Sequence, residues 1–86
     1  MSDRITRIRE RLQQGFPGAL IDLEDESHLH AGHAGASSGR GHYRLAITSE
    51  TFTGMSPIAR HRAVYAALGE LMQTDIHALS IDARTP

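Results

Sequence analysis

Residues 42–68, HYRLAITSETFTGMSPIARHRAVYAAL, place a strand pattern, a turn and a helix start in direct succession. Large apolar side chains occupy every second position near the start of this stretch, which is typical of a strand with one buried face. They are Tyr43, Leu45 and Ile47. After a Thr-Gly turn, Ser56 is a helix N-cap and Pro57 takes the first helical position, where its missing N–H costs no hydrogen bond. The stretch therefore predicts a strand that leads into a helix.

The N-terminal part of the chain predicts a helix and then a strand. Apolar residues recur at helical spacing over residues 3–14, and Gly15 followed closely by a proline is a stop signal, because proline cannot continue the hydrogen-bond ladder. Apolar and charged side chains then alternate over residues 19–25, which favours a strand with one buried face. Residues 26–41, ESHLHAGHAGASSGRG, have almost no large apolar side chain and predict a long, mobile loop.

The C-terminal part predicts a long helix and a last strand, and the turn at Ser56 and Pro57 could form a separate short helix before the long one. From Pro57 through about residue 73, one apolar stripe recurs at helical spacing and is interrupted by Gly69. The stripe consists of Ile58, Tyr65, Leu68 and Met72, with Val64 and Leu71 beside them. Side chains alternate again over residues 77–82, which predicts a strand. One face of that strand would present His77, Leu79 and Ile81.

The predicted order of elements is α-β-β-α-α-β, with the first two strands antiparallel. The chain has too few strands for a doubly wound fold. The order favours an α+β fold of two layers, in which helices cover one face of a three-stranded mixed sheet. A chain of 86 residues is long enough for one modest hydrophobic core, so residues 1–86 are expected to form a single domain.

The composition narrows the class of protein. Nine arginines stand against ten acidic residues, and the net charge of −1 gives no sign of a nucleic-acid binder. The chain has no cysteine, which excludes a disulfide framework and fits a reducing compartment. No apolar run approaches the roughly 18 residues that span a bilayer, and the charged N-terminus is unlike a signal peptide. We therefore expect a soluble cytoplasmic protein that does not associate with membranes.

Residues 28–33, HLHAGH, contain three of the six histidines and raise the question of a metal site. The segment could be a solvated loop with incidental histidines. It could also bind zinc or nickel adventitiously, although a structural zinc site normally draws its four ligands from fixed elements. His77 could equally be a half-buried structural residue of its strand. The sequence has no cysteine nucleophile and no GxSxG, P-loop or HExxH motif, so we do not expect an enzyme.

Three stretches give the chain a resemblance to the BolA family: DESHLHAGHAG at 25–35, SPIARHRAVYAAL at 56–68 and IHALSIDARTP at 76–86. The segment GHYRLAITSETFTG between them resembles the strand-and-turn segment of the family. The resemblance implies the α-β-β-α-α-β fold of the family, which is similar to the class II KH fold. It also implies a partner, a monothiol glutaredoxin, with which BolA-like proteins share a [2Fe-2S] cluster or associate without one.

The resemblance also implies the ligands of that cluster. His77 matches the histidine of the family's HAL motif, and a second ligand is expected from the loop between the first two strands. Counting forward from DES places this ligand at His30, whereas counting back eight intervening residues from His42 places it at His33, which we prefer. Two imidazoles can replace two thiolates on one iron of a [2Fe-2S] centre.

The other ligands would come from the partner, as a cysteine thiolate and the thiol of bound glutathione. No cofactor is therefore expected in the isolated chain. Because imidazole binds a metal only in its neutral form, the shared site should weaken as the pH falls towards about 6.

The predicted function is that of an adaptor in iron-sulfur cluster trafficking or in iron and redox regulation. Its partner surface is expected at Arg60, His61, Arg62 and Arg44. A DNA-binding transcriptional regulator is the alternative, because the KH-like fold has nucleic-acid precedents. However, the GxxG motif at 32–35 lies between strands and not between helices. The chain is expected to be a monomer or a weak homodimer, since an exposed strand edge permits a dimer.

Overall fold

The computed structural model describes residues 4–27 and 41–86. The elements in these ranges are, in chain order, α1 (Arg4–Gly15), β1 (Leu20–Asp25), β2 (Gly41–Thr48), a 3₁₀ helix (Glu50–Phe52), α2 (Pro57–Leu68), α3 (Leu71–Thr74) and β3 (Ile76–Arg84). The predicted α-β-β-α-α-β order is confirmed, and so is the α+β class with a three-stranded mixed sheet. Within the described ranges, no helix has the length and apolar character that crossing a membrane requires.

β2 is the central strand of the sheet, whose order is β1-β2-β3. β1 pairs with it antiparallel, from Leu20 opposite Thr48 to Asp25 opposite Tyr43, as the sequence predicts. β3 pairs with it in parallel. A parallel neighbour requires a crossover that returns the chain to the same end of the sheet, and α2 and α3 provide it. Within the described part of the chain, β1 and β3 are therefore the two edges.

The helices cover one face of the sheet, and the core lies between them and the strands. The core residues, all at most 6% exposed, are Ile8, Leu12, Phe16, Leu23, Tyr43, Leu45, Ile47, Phe52, Val64, Leu68, Leu71 and Ile76. The predicted buried face of β2 is thus confirmed. We call the opposite side of the sheet the open face; it is lined by Asp22, Glu24, Arg44, Ala46, Ser80 and Asp82.

The apolar stripe predicted for α2 is wrong at two positions. Ile58 is 65% exposed and Tyr65 is 41% exposed, whereas Val64 and Leu68 are fully buried. The buried side of the helix follows the i, i+4 spacing of Val64 and Leu68, which lies about 90° around the helix axis from Ile58 and Tyr65. The small side chain of Ala67 packs against the core on this side. The helix therefore buries small and medium side chains and leaves two larger ones outside.

α2 is also shorter than the predicted helix. It ends at Leu68, and Gly69 has a φ of 55°, in the left-handed region that favours glycine. The Gly69 N–H donates to the Tyr65 carbonyl at 3.0 Å before the chain enters α3. At the other end the predicted N-cap is confirmed, since the Ser56 hydroxyl accepts from the Ala59 N–H at 3.1 Å.

Gly15 has a packing role in addition to its place at the end of α1. It is the last residue of α1, and it is not among the glycines with positive φ. A Cβ atom at Gly15 would lie 2.7 Å from the Cβ of Ala67 in α2, closer than two methyl groups can approach. α1 and α2 therefore meet at a point where one of the two backbones must lack a side chain.

We predict that Gly15→Ala lowers the free energy of unfolding by about 1–3 kcal/mol, because the added methyl group overpacks the contact between α1 and α2. In an Ala67→Gly background the same change should be neutral or stabilising, since the clash is gone and alanine favours a helix over glycine by about 1 kcal/mol. Urea unfolding of the four proteins of this double-mutant cycle is the measurement. Equal effects in both backgrounds would contradict the assigned contact.

Candidate functional site

His77 lies in a β-bulge at the start of β3. Gly41 is opposite Ile76 and the next residue, His42, is opposite Ala78, so β3 has one more residue than β2 at this point. The extra residue is His77, and it is exposed. A bulge is a common way for a sheet to redirect one side chain. The predicted ligand is therefore at the surface of the protein.

The bulge changes which side of β3 faces the core. Ile76, before the bulge, is 1% exposed, and Leu79 and Ile81, after it, pack partly buried against the core. Without the extra residue, strict alternation would turn one of these sets outward. The predicted position of His77 on the same face as Leu79 and Ile81 is therefore wrong, and the bulge is the physical reason.

A second histidine, His42, lies next to His77. The centroids of the two rings are 5.0 Å apart and the ring planes are tilted by 50°. In the sequence, His42 is only the reference position for the loop ligand, and its pairing with His77 was not predicted. The sequence pattern contains no signal for it, because the neighbour of a residue across two strands depends on their register.

One end of the histidine-rich segment 28–40 is attached beside this pair. The His42 N–H donates to the Ser27 hydroxyl at 3.1 Å. The Glu26 N–H donates to the His42 carbonyl at 2.8 Å. Both backbone groups of His42 therefore hold the chain that leads into the segment.

The other end of the segment is attached at the start of β3. The Gly41 N–H donates to the Asp75 carbonyl at 2.9 Å, two residues before His77. His30 and His33, the predicted loop ligands, lie outside the described residues. Both points at which their segment joins the described structure nevertheless lie at the end of the sheet that presents His77.

Asp75 ties the start of β3 to α1. This residue is 8% exposed, and its carboxylate accepts from Arg7 Nη2 at 2.6 Å, from Arg7 Nε at 3.1 Å and from the Thr74 hydroxyl at 2.9 Å. Burial raises the pKa of Asp75, but the hydrogen bonds from Arg7 and Thr74 and the charges of Arg7 and Arg4 outweigh it, so the pKa lies below its ordinary value. No pattern in the sequence indicates this network, which fixes the backbone next to His77.

We predict that Asp75→Asn lowers the free energy of unfolding at neutral pH by about 1.5–3 kcal/mol, towards the lower end because the Arg7 side chain is 44% exposed. The folded-state pKa of Asp75 is lowered. The wild-type advantage is therefore present above the ordinary aspartate pKa and is lost as the pH falls through the folded-state value. Chemical unfolding of both proteins across the acid range is the measurement.

The matched control for this prediction is Asp22→Asn, which removes one exposed carboxylate from the open face. It should change the unfolding free energy much less, because exposed charges contribute about 0–1 kcal/mol. A loss of the same size in both variants would refute the role assigned to Asp75.

The four residues predicted as a partner surface lie on two sides of the molecule. Arg44 is on the open face, where its guanidinium lies 3.0 Å from Glu24 and 3.2 Å from Glu26. The hydrogen bond with Glu24 and the charges of Glu26 and Glu24 raise the pKa of Arg44 above its ordinary value. Its charge is thus compensated within the sheet, whereas the other three residues belong to α2 on the covered side.

The basic residues of α2 have different surroundings. Arg60 Nε donates to the Met55 carbonyl at 3.1 Å and Arg60 Nη1 donates to the Ala83 carbonyl at 3.0 Å. Arg60 therefore fastens the start of α2 to the end of β3, which is a structural role. His61 is partly buried, and Arg62 is exposed. The role of these residues as a partner surface stays a prediction.

The described side chains do not form a complete metal site. In residues 4–27 and 41–86, no group of three or more histidine, cysteine, aspartate or glutamate side chains is arranged to hold a metal ion. The rings of His42 and His77 lie side by side, but His42 is partly buried and only His77 is exposed, and the chain has no thiolate to add. A metal ion bound at His77 would therefore need ligands from outside the described residues.

Comparisons of the chain with a family model and with two known proteins all indicate the same family. A family model described as BolA-like protein matches residues 12–86. The chain is 40% identical over 89 residues to Protein BOLA1, chloroplastic, of Arabidopsis thaliana, covering 100% of this chain and 56% of that protein. It is 35% identical over 79 residues to the DNA-binding transcriptional regulator BolA of Escherichia coli (strain K12), covering 92% of this chain and 72% of that protein. The chain thus spans little more than half the length of the plant relative.

A solved structure shows the same similarity in three dimensions. The BolA domain of SufE1 from Arabidopsis thaliana superimposes with a TM-score of 0.84 at 40% sequence identity, and the match covers 100% of this chain and 95% of that one. The arrangement of helices and strands described above is therefore that of an experimentally known fold.

Proposed function

Because the chain belongs to the BolA family, we propose that it is a non-catalytic adaptor that binds a monothiol glutaredoxin and contributes histidine ligands to a shared [2Fe-2S] cluster. The process would be iron-sulfur cluster trafficking or iron and redox regulation. The cytoplasmic location expected from the sequence stays a prediction, since the name of the Arabidopsis relative includes the word chloroplastic.

The observation that supports this proposal most directly is the exposed position of His77 in the bulge. A side chain that ligates a cluster shared between two proteins must reach the surface of its own protein. A histidine on the covered face of the sheet could not do so. The segment that contains His30 and His33 begins and ends at the same end of the sheet. We propose His33 as the second ligand, with His30 as the alternative from the same segment.

The chemistry of the available donors fits this role. Histidine can replace cysteine at two of the four ligand positions of a [2Fe-2S] centre, both on one iron, and a cluster ligated in this way provides a redox centre of raised potential. A chain without cysteine can supply only that half. The thiolates of the glutaredoxin and of its glutathione would supply the other half.

Other residues of the chain would hold His77 in place. The bond between Arg7 and Asp75 anchors the backbone two residues before it, and the ring of His42 limits the directions that its own ring can take. Such neighbours of a metal-binding histidine normally determine its orientation. We therefore assign His42 and Asp75 as positioning residues of the proposed site.

We predict that His77→Ala abolishes or alters the visible absorption and circular dichroism of the complex purified after co-expression with the host's monothiol glutaredoxin, because one iron ligand is removed. His28→Ala is the matched control, since His28 belongs to the same segment and is not proposed as a ligand. Iron and sulfide analysis of the purified complexes quantifies the loss.

The same measurement on His33→Ala and His30→Ala identifies the second ligand, and we expect the larger effect from His33→Ala. An unchanged spectrum in His77→Ala, with the glutaredoxin still bound, would remove His77 from the ligand set. A complex that forms without any cluster in the wild type would reduce the proposal to the adaptor role alone.

A DNA-binding transcriptional regulator is the second candidate function. The observation that favours it is the name of the Escherichia coli relative, a DNA-binding transcriptional regulator. The arginines of this chain give the DNA-binding function less support, because the guanidinium groups of Arg44 and Arg60 already form hydrogen bonds with oxygen atoms of the protein itself. Affinity for nucleic acid depends mainly on cations that contact phosphates.

We therefore expect gel-shift titrations with duplex DNA to give weak binding at low salt that disappears at physiological salt, since few phosphates can be contacted. Duplexes of several unrelated sequences should behave alike. Sequence-selective binding that survives physiological salt would favour the regulator over the adaptor.

A further inference from the structure

The outer side of α2 presents two of the three large apolar side chains that are exposed among the described residues. Ile58 is 65% exposed and Tyr65 is 41% exposed, and they are seven residues apart, on the same side of the helix. Arg62 lies between them, four residues after Ile58 and three before Tyr65. We call Ile58, Arg62 and Tyr65 the α2 stripe.

The charge of the α2 stripe is positive and is not compensated by the helix. The segment Pro57–Leu68, PIARHRAVYAAL, contains no acidic residue. Arg62 takes part in none of the ion pairs formed between described residues, in contrast to Arg44. A complementary surface would therefore present a carboxylate opposite Arg62 and apolar side chains on either side of it.

A second copy of the chain fits the α2 stripe poorly. In a symmetric antiparallel pair of α2 helices, Ile58 of each copy would lie near Tyr65 of the other, and the two Arg62 side chains would meet at the centre. Like charges facing each other at an interface oppose association. A nucleic acid also fits poorly, because a single guanidinium flanked by two apolar side chains contacts few phosphates.

The direction of α2 relates the stripe to His77. Arg60, in the first turn of the helix, donates to Ala83 near the end of β3. The chain then passes through α3 to the start of β3 at Ile76. α2 therefore runs back along the sheet, and Tyr65 is nearer than Ile58 to the end at which His77 is presented.

From these observations we infer that the α2 stripe is a cluster-independent docking surface for an acidic, partly apolar surface of the glutaredoxin, with a carboxylate of the partner bound to Arg62. This inference rests on the proposed function, because it takes its partner from it. It adds a second contact region to the same complex, and this region requires neither a metal nor a histidine ligand.

The experiment is calorimetric titration of the cluster-free monothiol glutaredoxin into the cluster-free chain. The test variants are Arg62→Glu and the double variant Ile58→Ser with Tyr65→Ser. Both are changes of exposed side chains, and thermal unfolding will verify that the variants fold. The matched control is Gln13→Glu with Gln14→Glu, which changes the net charge by the same −2 as Arg62→Glu at exposed positions of α1.

We expect each test variant to weaken cluster-free binding at least about tenfold and the control to leave it unchanged. Wild-type affinity should fall with rising salt, whereas that of Arg62→Glu should depend on salt much less. At saturating concentrations the cluster-bearing complex of Arg62→Glu should keep the wild-type spectrum.

Three outcomes would overturn the inference. The first is that the wild-type chain does not bind the glutaredoxin without the cluster, or that neither test variant weakens this binding. The ligand role of His77 is tested separately by the spectrum of His77→Ala. The second is loss of duplex DNA binding in Arg62→Glu with unchanged glutaredoxin binding, which would assign the stripe to a nucleic acid. The third is a homodimer in sedimentation that Ile58→Ser with Tyr65→Ser dissociates, which would assign it to a second copy.

Discussion

The parallel pairing of β2 with β3, with one extra residue in β3, is the constraint on which the rest of the structure depends. Parallel pairing requires the crossover through α2 and α3, which covers one face of the sheet and leaves the open face uncovered in the described structure. The extra residue lets Ile76 on one side of the bulge and Leu79 on the other face the same core. The side chain that this arrangement turns outward is His77.

Among the described strands β3 is at an edge of the sheet, and arginines from two helices form hydrogen bonds at its two ends. Arg7 of α1 donates hydrogen bonds to the carboxylate of Asp75, directly before the strand. Arg60 of α2 donates a hydrogen bond to the carbonyl of Ala83, one residue before the strand ends. Because each bond joins a helix to the strand, the position of His77 depends on packing that is distant from it in sequence. Both arginines thereby make structural contacts that the sequence pattern does not indicate.

The sequence pattern predicted the helices and strands and their order correctly. It did not predict correctly which side of every element is buried. Alternation identified Tyr43, Leu45 and Ile47 as the buried side of β2 because an undistorted strand has a period of two residues. The same reasoning misplaced His77, because a bulge breaks that period and leaves no mark in the residue types. Helical spacing misplaced Ile58 and Tyr65, because Val64, Ala67 and Leu68 mark a different apolar side of the same helix, and only the position of α1 selects between them.

What the sequence by itself determined is the class of fold, the family resemblance and the absence of any thiolate from this chain, because these depend on residue types and their local order. The tertiary structure decided which histidines and arginines reach solvent and which neighbours they have. Those outcomes depend on strand register and helix packing, which join residues far apart in the chain. His42 and His77, separated by 35 positions in sequence and 5.0 Å between ring centroids, are in contact for that reason.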